Sequence, residues 1–129
     1  MKNLMSCNQL LIPVLLGAYL SGCANTPQVS YRRDVQPILA DKCVGCQIPP
    51  YGEGYRRTGL TMASFQTLME GSIYGPVIVP GNSQTSPLNM LVEGRAGDLK
   101  ERLTKRHKPI TGEEIRVLRL WVEQGALNN

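Results

Sequence analysis

The chain is poor in aromatic and imidazole side chains. Its 129 residues hold one Phe, one Trp and one His. Phe65 and Trp121 are therefore the only wholly hydrocarbon or indole anchors for a core. A domain this small with so few of them commonly needs a staple or a bound group. Cys43 and Cys46 with a lone histidine leave a four-ligand zinc site without its last ligand. The sequence holds no catalytic triad, no carboxylate pair with glycosidase-like spacing and no glycine loop of the phosphate-binding kind, so no enzyme class is indicated. No apolar run reaches the roughly 20 residues a membrane-spanning helix requires. Charge of either sign is not blocked. The formal charge is +4 and is spread along the chain, which speaks against nucleic acid as a partner.

The start has the pattern of an export signal. Lys2 precedes the apolar stretch Leu10-Leu11-Ile12-Pro13-Val14-Leu15-Leu16-Gly17-Ala18-Tyr19-Leu20. The stretch ends in Leu20-Ser21-Gly22-Cys23, which resembles the lipobox of bacterial lipoproteins. That resemblance implies removal of residues 1–22 and acylation of Cys23, with residues 23–30 as a lipidated tether and residues 31–127 as the domain. It also implies a location in the cell envelope, facing the periplasm or the cell surface, with the lipid as the contact with the membrane. Residues 1–22 carry Lys2, Cys7 and no acidic residue, so the mature chain holds 13 Lys and Arg against 10 Asp and Glu. With Cys23 acylated, Cys43 and Cys46 are the thiols left. An oxidising compartment does not leave such a pair free.

Those two thiols lie in Cys43-Val44-Gly45-Cys46-Gln47. With His in the last place this would be the Cys-x-x-Cys-His pattern of covalent haem attachment. Two cysteines at i and i+3 on a tight turn can each bond one haem vinyl, and the next residue then lies under the iron. Gln47 puts a neutral amide oxygen there, a poor ligand for haem iron.

Around this stretch the periodicities predict short helices and an all-α class. Ser30 is placed to cap a helix from Tyr31, with Val35, Ile38 and Leu39 on one face. Pro37 conflicts with a helix interior and argues for a start near Val35. Residues 47–60, with Gly52, Gly54, Gly59 and Pro49-Pro50, read as loop, and Arg56, Arg57, Tyr51 and Tyr55 as its solvated side chains. Ser64 caps Phe65 to Glu70, which Gly71 stops. Val77-Ile78-Val79 reads as a short strand or an extended buried segment. Ser86 is placed to cap a helix that has Pro87 at its first position and ends at Gly94. Thr111 and Glu114 form a capping box for a last helix of about Gly112 to Gln124. Ile115, Leu118, Trp121 and Val122 are its buried stripe, and Gly125 ends it.

Several of these pieces, taken together, resemble one family. They are Tyr31-Arg32-Arg33-Asp34-Val35-Gln36-Pro37-Ile38-Leu39, Cys43-Val44-Gly45-Cys46, Val79-Pro80-Gly81-Asn82-Ser83 with Ser86, and Thr111 with Glu114-Ile115 through Trp121-Val122-Glu123-Gln124-Gly125-Ala126. They are similar to the small c-type cytochrome domain of planctomycete-type and related surface cytochromes, over about residues 31–126. The resemblance implies a small bundle of short helices with long loops. It implies haem c on Cys43 and Cys46, Gln47 at the proximal ligand position, and single-electron exchange with a redox partner protein. The family's Met-Pro pair before the last helix corresponds to Leu103-Thr104. A rival alignment puts His107 there as an iron ligand, against its reading as a loop histidine between Arg106 and Lys108. Met62, Met69 and Met90 read as packing residues. The competing reading is a haemless lipoprotein with a Cys43–Cys46 disulfide and a structural or binding role. A thiol–disulfide redox protein would require a βαβ setting that the sequence lacks.

Overall fold

The computed structural model describes residues 26–97 and 108–129. The described chain is all-α: five short helices joined by loops, with one isolated bridge between Ser72 and Gly75 and no strand among the described residues. The helices are α1 (Gln36–Lys42), α2 (Glu53–Thr58), α3 (Phe65–Glu70), α4 (Pro87–Val92) and α5 (Gly112–Glu123). None is long and apolar enough to cross a membrane.

The conflict at Pro37 is resolved by a change of helix type. Tyr31–Val35 form a π-helical turn, with Gln36 N–H donating to the Tyr31 carbonyl. The proline ring would clash with the carbonyl of Arg33 in a regular α-turn, and the wider turn relieves that contact. Pro37 then stands in the first turn of α1, where its missing N–H costs nothing. Ser30 caps the whole assembly, its hydroxyl accepting from Arg33 N–H at 3.3 Å.

Residues 27–31 are clasped to residues 124–129. Asn129 Oδ1 accepts from Tyr31 N–H at 2.8 Å, and Asn129 Nδ2 donates to the Val29 carbonyl at 3.2 Å. Gln124 accepts from Val29 N–H at 2.8 Å and donates to the Pro27 carbonyl at 3.1 Å. Pro27 is thus tied to Gln124, and Val29 is a core residue.

Tyr31, Phe65 and Trp121 meet at the centre. The Tyr31 and Phe65 rings lie edge to face at 5.2 Å, and Tyr31 and Trp121 are 5.6 Å apart. Val35, Leu39, Leu68, Leu118 and Val122 close around them. Trp121, Leu118 and Val122 are buried as the stripe on α5 predicts, while Ile115 at its edge is partly exposed.

Two expectations change. Residues 53–58, read as loop, form α2. Its Glu53 pairs with Arg57 one turn on at 3.5 Å, and Gly59 closes it in the left-handed region at φ 66°. Ser86 precedes α4, but its hydroxyl does not cap it. It accepts from Val79 N–H at 2.8 Å and donates to the Asn82 carbonyl at 3.0 Å, tying the extended Val77–Val79 segment to α4. Ser86 is fully buried. Ser86→Ala strands the part-buried Val79 N–H and is expected to cost about 1–3 kcal/mol in urea unfolding. A loss near zero would mean the segment is held by packing alone.

Candidate functional site

The site is built at the C-terminal end of α1. Cys43 closes α1, its N–H donating to the Leu39 carbonyl at 2.9 Å. Val44–Cys46 then form one 3-10 turn. Cys46 N–H donates to the Cys43 carbonyl at 3.2 Å, and Gln47 N–H to the Val44 carbonyl at 2.9 Å. Both thiols are half-buried, and Cys43 and Val44 pack against the core. The spacing of the two sulfurs in sequence thus becomes one rigid, partly covered turn.

Ion pairs fix this turn relative to α5. Lys42 Nζ lies 3.1 Å from Asp41 and 3.6 Å from Glu114, the capping-box carboxylate of α5. Glu114 still completes its box, accepting from Thr111 N–H at 2.7 Å while Glu114 N–H reaches the Thr111 hydroxyl at 3.2 Å. Lys108 adds a further contact to Asp41.

Burial pushes the Cys43 thiol up to about 11, with Cys46 and Glu114 adding to the effect and Lys42 opposing it. The surroundings favour a neutral sulfur: a thiol, a thioether or a disulfide. They disfavour the thiolate that a thiol–disulfide catalyst needs. In the reduced, unmodified chain the neutral Cys43 contributes stability that is full below about pH 9, its ordinary value, and is lost as pH rises through about 11. Alkylation of Cys43, followed by peptide mass, is expected to accelerate about tenfold per pH unit until that range. A rate already at its plateau at pH 8 would contradict the burial argument.

Gln47 is the residue whose placement decides most. Its side chain folds back onto the start of α2. A Cβ added at Gly54 would lie 2.9 Å from the Gln47 amide carbon, and one at Gly52 would lie 2.7 Å from the Ile48 carbonyl oxygen. These two glycines let α2 close over the turn, a role their loop-like composition did not disclose. The Gln47 side-chain oxygen is buried and has no hydrogen-bond partner among the described residues. A buried amide oxygen left this way carries an uncompensated desolvation cost.

At the sulfurs the residues fit haem attachment: two half-buried thiols share one turn at a helix end, and burial favours the neutral form of Cys43. At the position after the sulfurs, Gln47 folds onto Gly54 and offers no imidazole. No group of three His, Cys, Asp or Glu side chains that could hold a metal ion occurs among the described residues. Cys23, Leu103 and His107 lie outside the described residues.

A second buried polar group went unread in the sequence. Asn89 on α4 is fully buried, and neither its side-chain oxygen nor its nitrogen has a partner among the described residues. Its position within the apolar helix Pro87–Val92 gave no local signal. No family model, no curated protein and no solved structure matches this chain.

Proposed function

We propose that this protein is a lipid-anchored electron carrier of the c-type cytochrome kind, held at the cell envelope through Cys23 and exchanging electrons with a redox partner protein. It is a carrier and not an enzyme. The observation that supports the reading is the turn Val44–Cys46 with its neighbours: Cys43 and Cys46 share one 3-10 turn, followed in the chain by Gln47, whose buried side-chain oxygen has no partner among the described residues. Cys43 and Cys46 would hold haem c as thioethers, with Gln47 at the proximal position. Haem attached this way supplies a single-electron couple whose potential depends on its axial ligands and its burial. The chain's own part is positional. Val44 and the core side of Cys43 cover the turn, and the Lys42–Glu114 pair keeps it against α5.

A second reading is a haemless lipoprotein with a Cys43–Cys46 disulfide. The observation favouring it is the Gln47 side chain folded onto Gly54, where an imidazole-bearing relative would face the iron. One experiment separates the two. The mature, membrane-processed protein is purified, and its visible spectrum and intact mass are recorded. A Soret band that survives denaturation, with a mass gain of one haem, is expected. A mass lower by two hydrogens and no Soret band would establish the disulfide instead.

A further inference from the structure

We infer that the side of the domain around α2 is a membrane-docking face, seated on the headgroup region of the bilayer to which Cys23 tethers the chain. The inference rests on the lipid anchor in the proposed function and not on haem. Large apolar side chains left in water are concentrated here. Tyr51 is 87% exposed, Tyr74 80%, Ile73 72% and Ile48 47%. Among the described residues Leu127 is the one other exposed large hydrophobic side chain. Single exposed apolar residues are ordinary, but a cluster marks a contact surface.

The cluster is held in place by the backbone. Gly52 N–H donates to the Ile48 carbonyl at 2.7 Å, closing the turn that presents Tyr51 just before α2. At the other end of α2, Ile73 N–H donates to the Thr58 carbonyl at 2.8 Å. Ile73 and Tyr74 form the tip of a tight turn in which Ser72 and Gly75 exchange backbone hydrogen bonds at 2.9 Å. Arg56 and Arg57 lie exposed on α2 between the two ends. Arg57 is paired with Glu53, so Arg56 is the main cation.

This chemistry suits a bilayer interface. Tyrosine rings partition to the headgroup level, isoleucine enters the acyl boundary, and arginine is drawn to anionic headgroups. The tether gives the reason to choose a bilayer over a protein. Cys23 and Pro27 are four residues apart, which is at most about 14 Å when fully extended. Pro27 is fixed by Gln124 at 3.1 Å, so no further slack follows. The helical run from Tyr31 to Lys42 is about 18 Å long. With so short a leash the domain stays at the bilayer surface, and α2, which packs against the turn at the far end of this run, lies within reach of it. The bilayer is then present at high effective concentration for even a weakly apolar face. Because the turn Val44–Cys46 packs against α2, docking also holds the two cysteines close to the bilayer surface.

The test uses the acylated, processed protein in phosphatidylcholine vesicles, with and without phosphatidylglycerol and with brominated or plain acyl chains. Tyr74→Trp reports on the turn, and Gln84→Trp, in the exposed loop before α4, is the comparison. Fluorescence in brominated vesicles is divided by that in plain ones, which cancels quenchers inside the protein. Subtracting the parent removes the buried Trp121 signal. Bromine is expected to quench Tyr74→Trp at least twofold and to leave Gln84→Trp unchanged. Phosphatidylglycerol should deepen the quench, and Arg56→Gln should remove that increment. Acylated protein that floats with vesicles, yet quenches no more at position 74 than at 84, would overturn the docking face alone and leave the patch to a protein partner. A mass lacking acyl chains, with no flotation, would overturn it together with the anchor.

Discussion

Trp121→Ala is expected to be the most destabilising single substitution, by about 3–5 kcal/mol, the cost of emptying a buried aromatic site. Trp121 is 0% exposed on α5. Its ring lies 5.6 Å from Tyr31 and 6.4 Å from Phe65, so removal breaks the ring contacts joining α5 to the start of the first helical run and to α3. Its indole Nε1–H donates to the Leu127 carbonyl at 3.0 Å, and that bond closes the left-handed exit of α5 at Gly125 and Ala126. Total stability of a domain this size is about 5–15 kcal/mol. A loss of that scale lowers the thermal midpoint by roughly 15 °C or more. Trp121→Phe keeps most of the apolar contact and loses the hydrogen bond, so its cost is expected to be about 1–2 kcal/mol. Urea unfolding of the three proteins gives the comparison. Equal losses for Ala and Phe would mean that the indole bond, and not packing, carries the effect.

What was legible in the sequence follows from the range of each interaction. The caps at Ser30, Ser64 and Thr111 were readable because each hydroxyl bonds an N–H three residues on. The stripe on α5 was readable because periodicity is local. α2 was hidden by Gly52, Gly54 and Gly59, which read as loop; in the fold they permit a close approach to the turn at Cys46 and a left-handed exit. Ser86 was placed at the right helix start and given the wrong hydrogen bond, since its partners Val79 and Asn82 are set by tertiary folding. Tyr31 was assigned to the first helix without its place at the aromatic centre, which depends on α3 and α5. At the site, the Cys43–Cys46 spacing was plain. The direction of the Gln47 side chain was not, because Gly54 decides it from outside the motif.

Gln47→His, in cells able to mature c-type cytochromes, is expected to raise the yield of covalently haem-loaded protein several-fold. Cys43 and Cys46 already share the turn Val44–Cys46, fixed to α1 on one side and to α5 through Lys42 and Glu114. The substitution replaces a buried, partnerless amide oxygen with an imidazole nitrogen, a good axial ligand for haem iron. It also completes the five-residue pattern of attachment. The ring does not need new space of the kind a larger residue would need, because Gly54 has no Cβ to oppose the side chain at 47. Gly54→Ala is the corresponding control. Its added methyl would meet the side chain at 47, so in the Gln47→His background it should take back part of the gain. Heme-stained gels and intact mass on membrane-processed protein give the yields. If Gln47→His is exported and folded but gains no haem, the pocket beside the turn is closed, and the Cys43–Cys46 disulfide becomes the reading to keep.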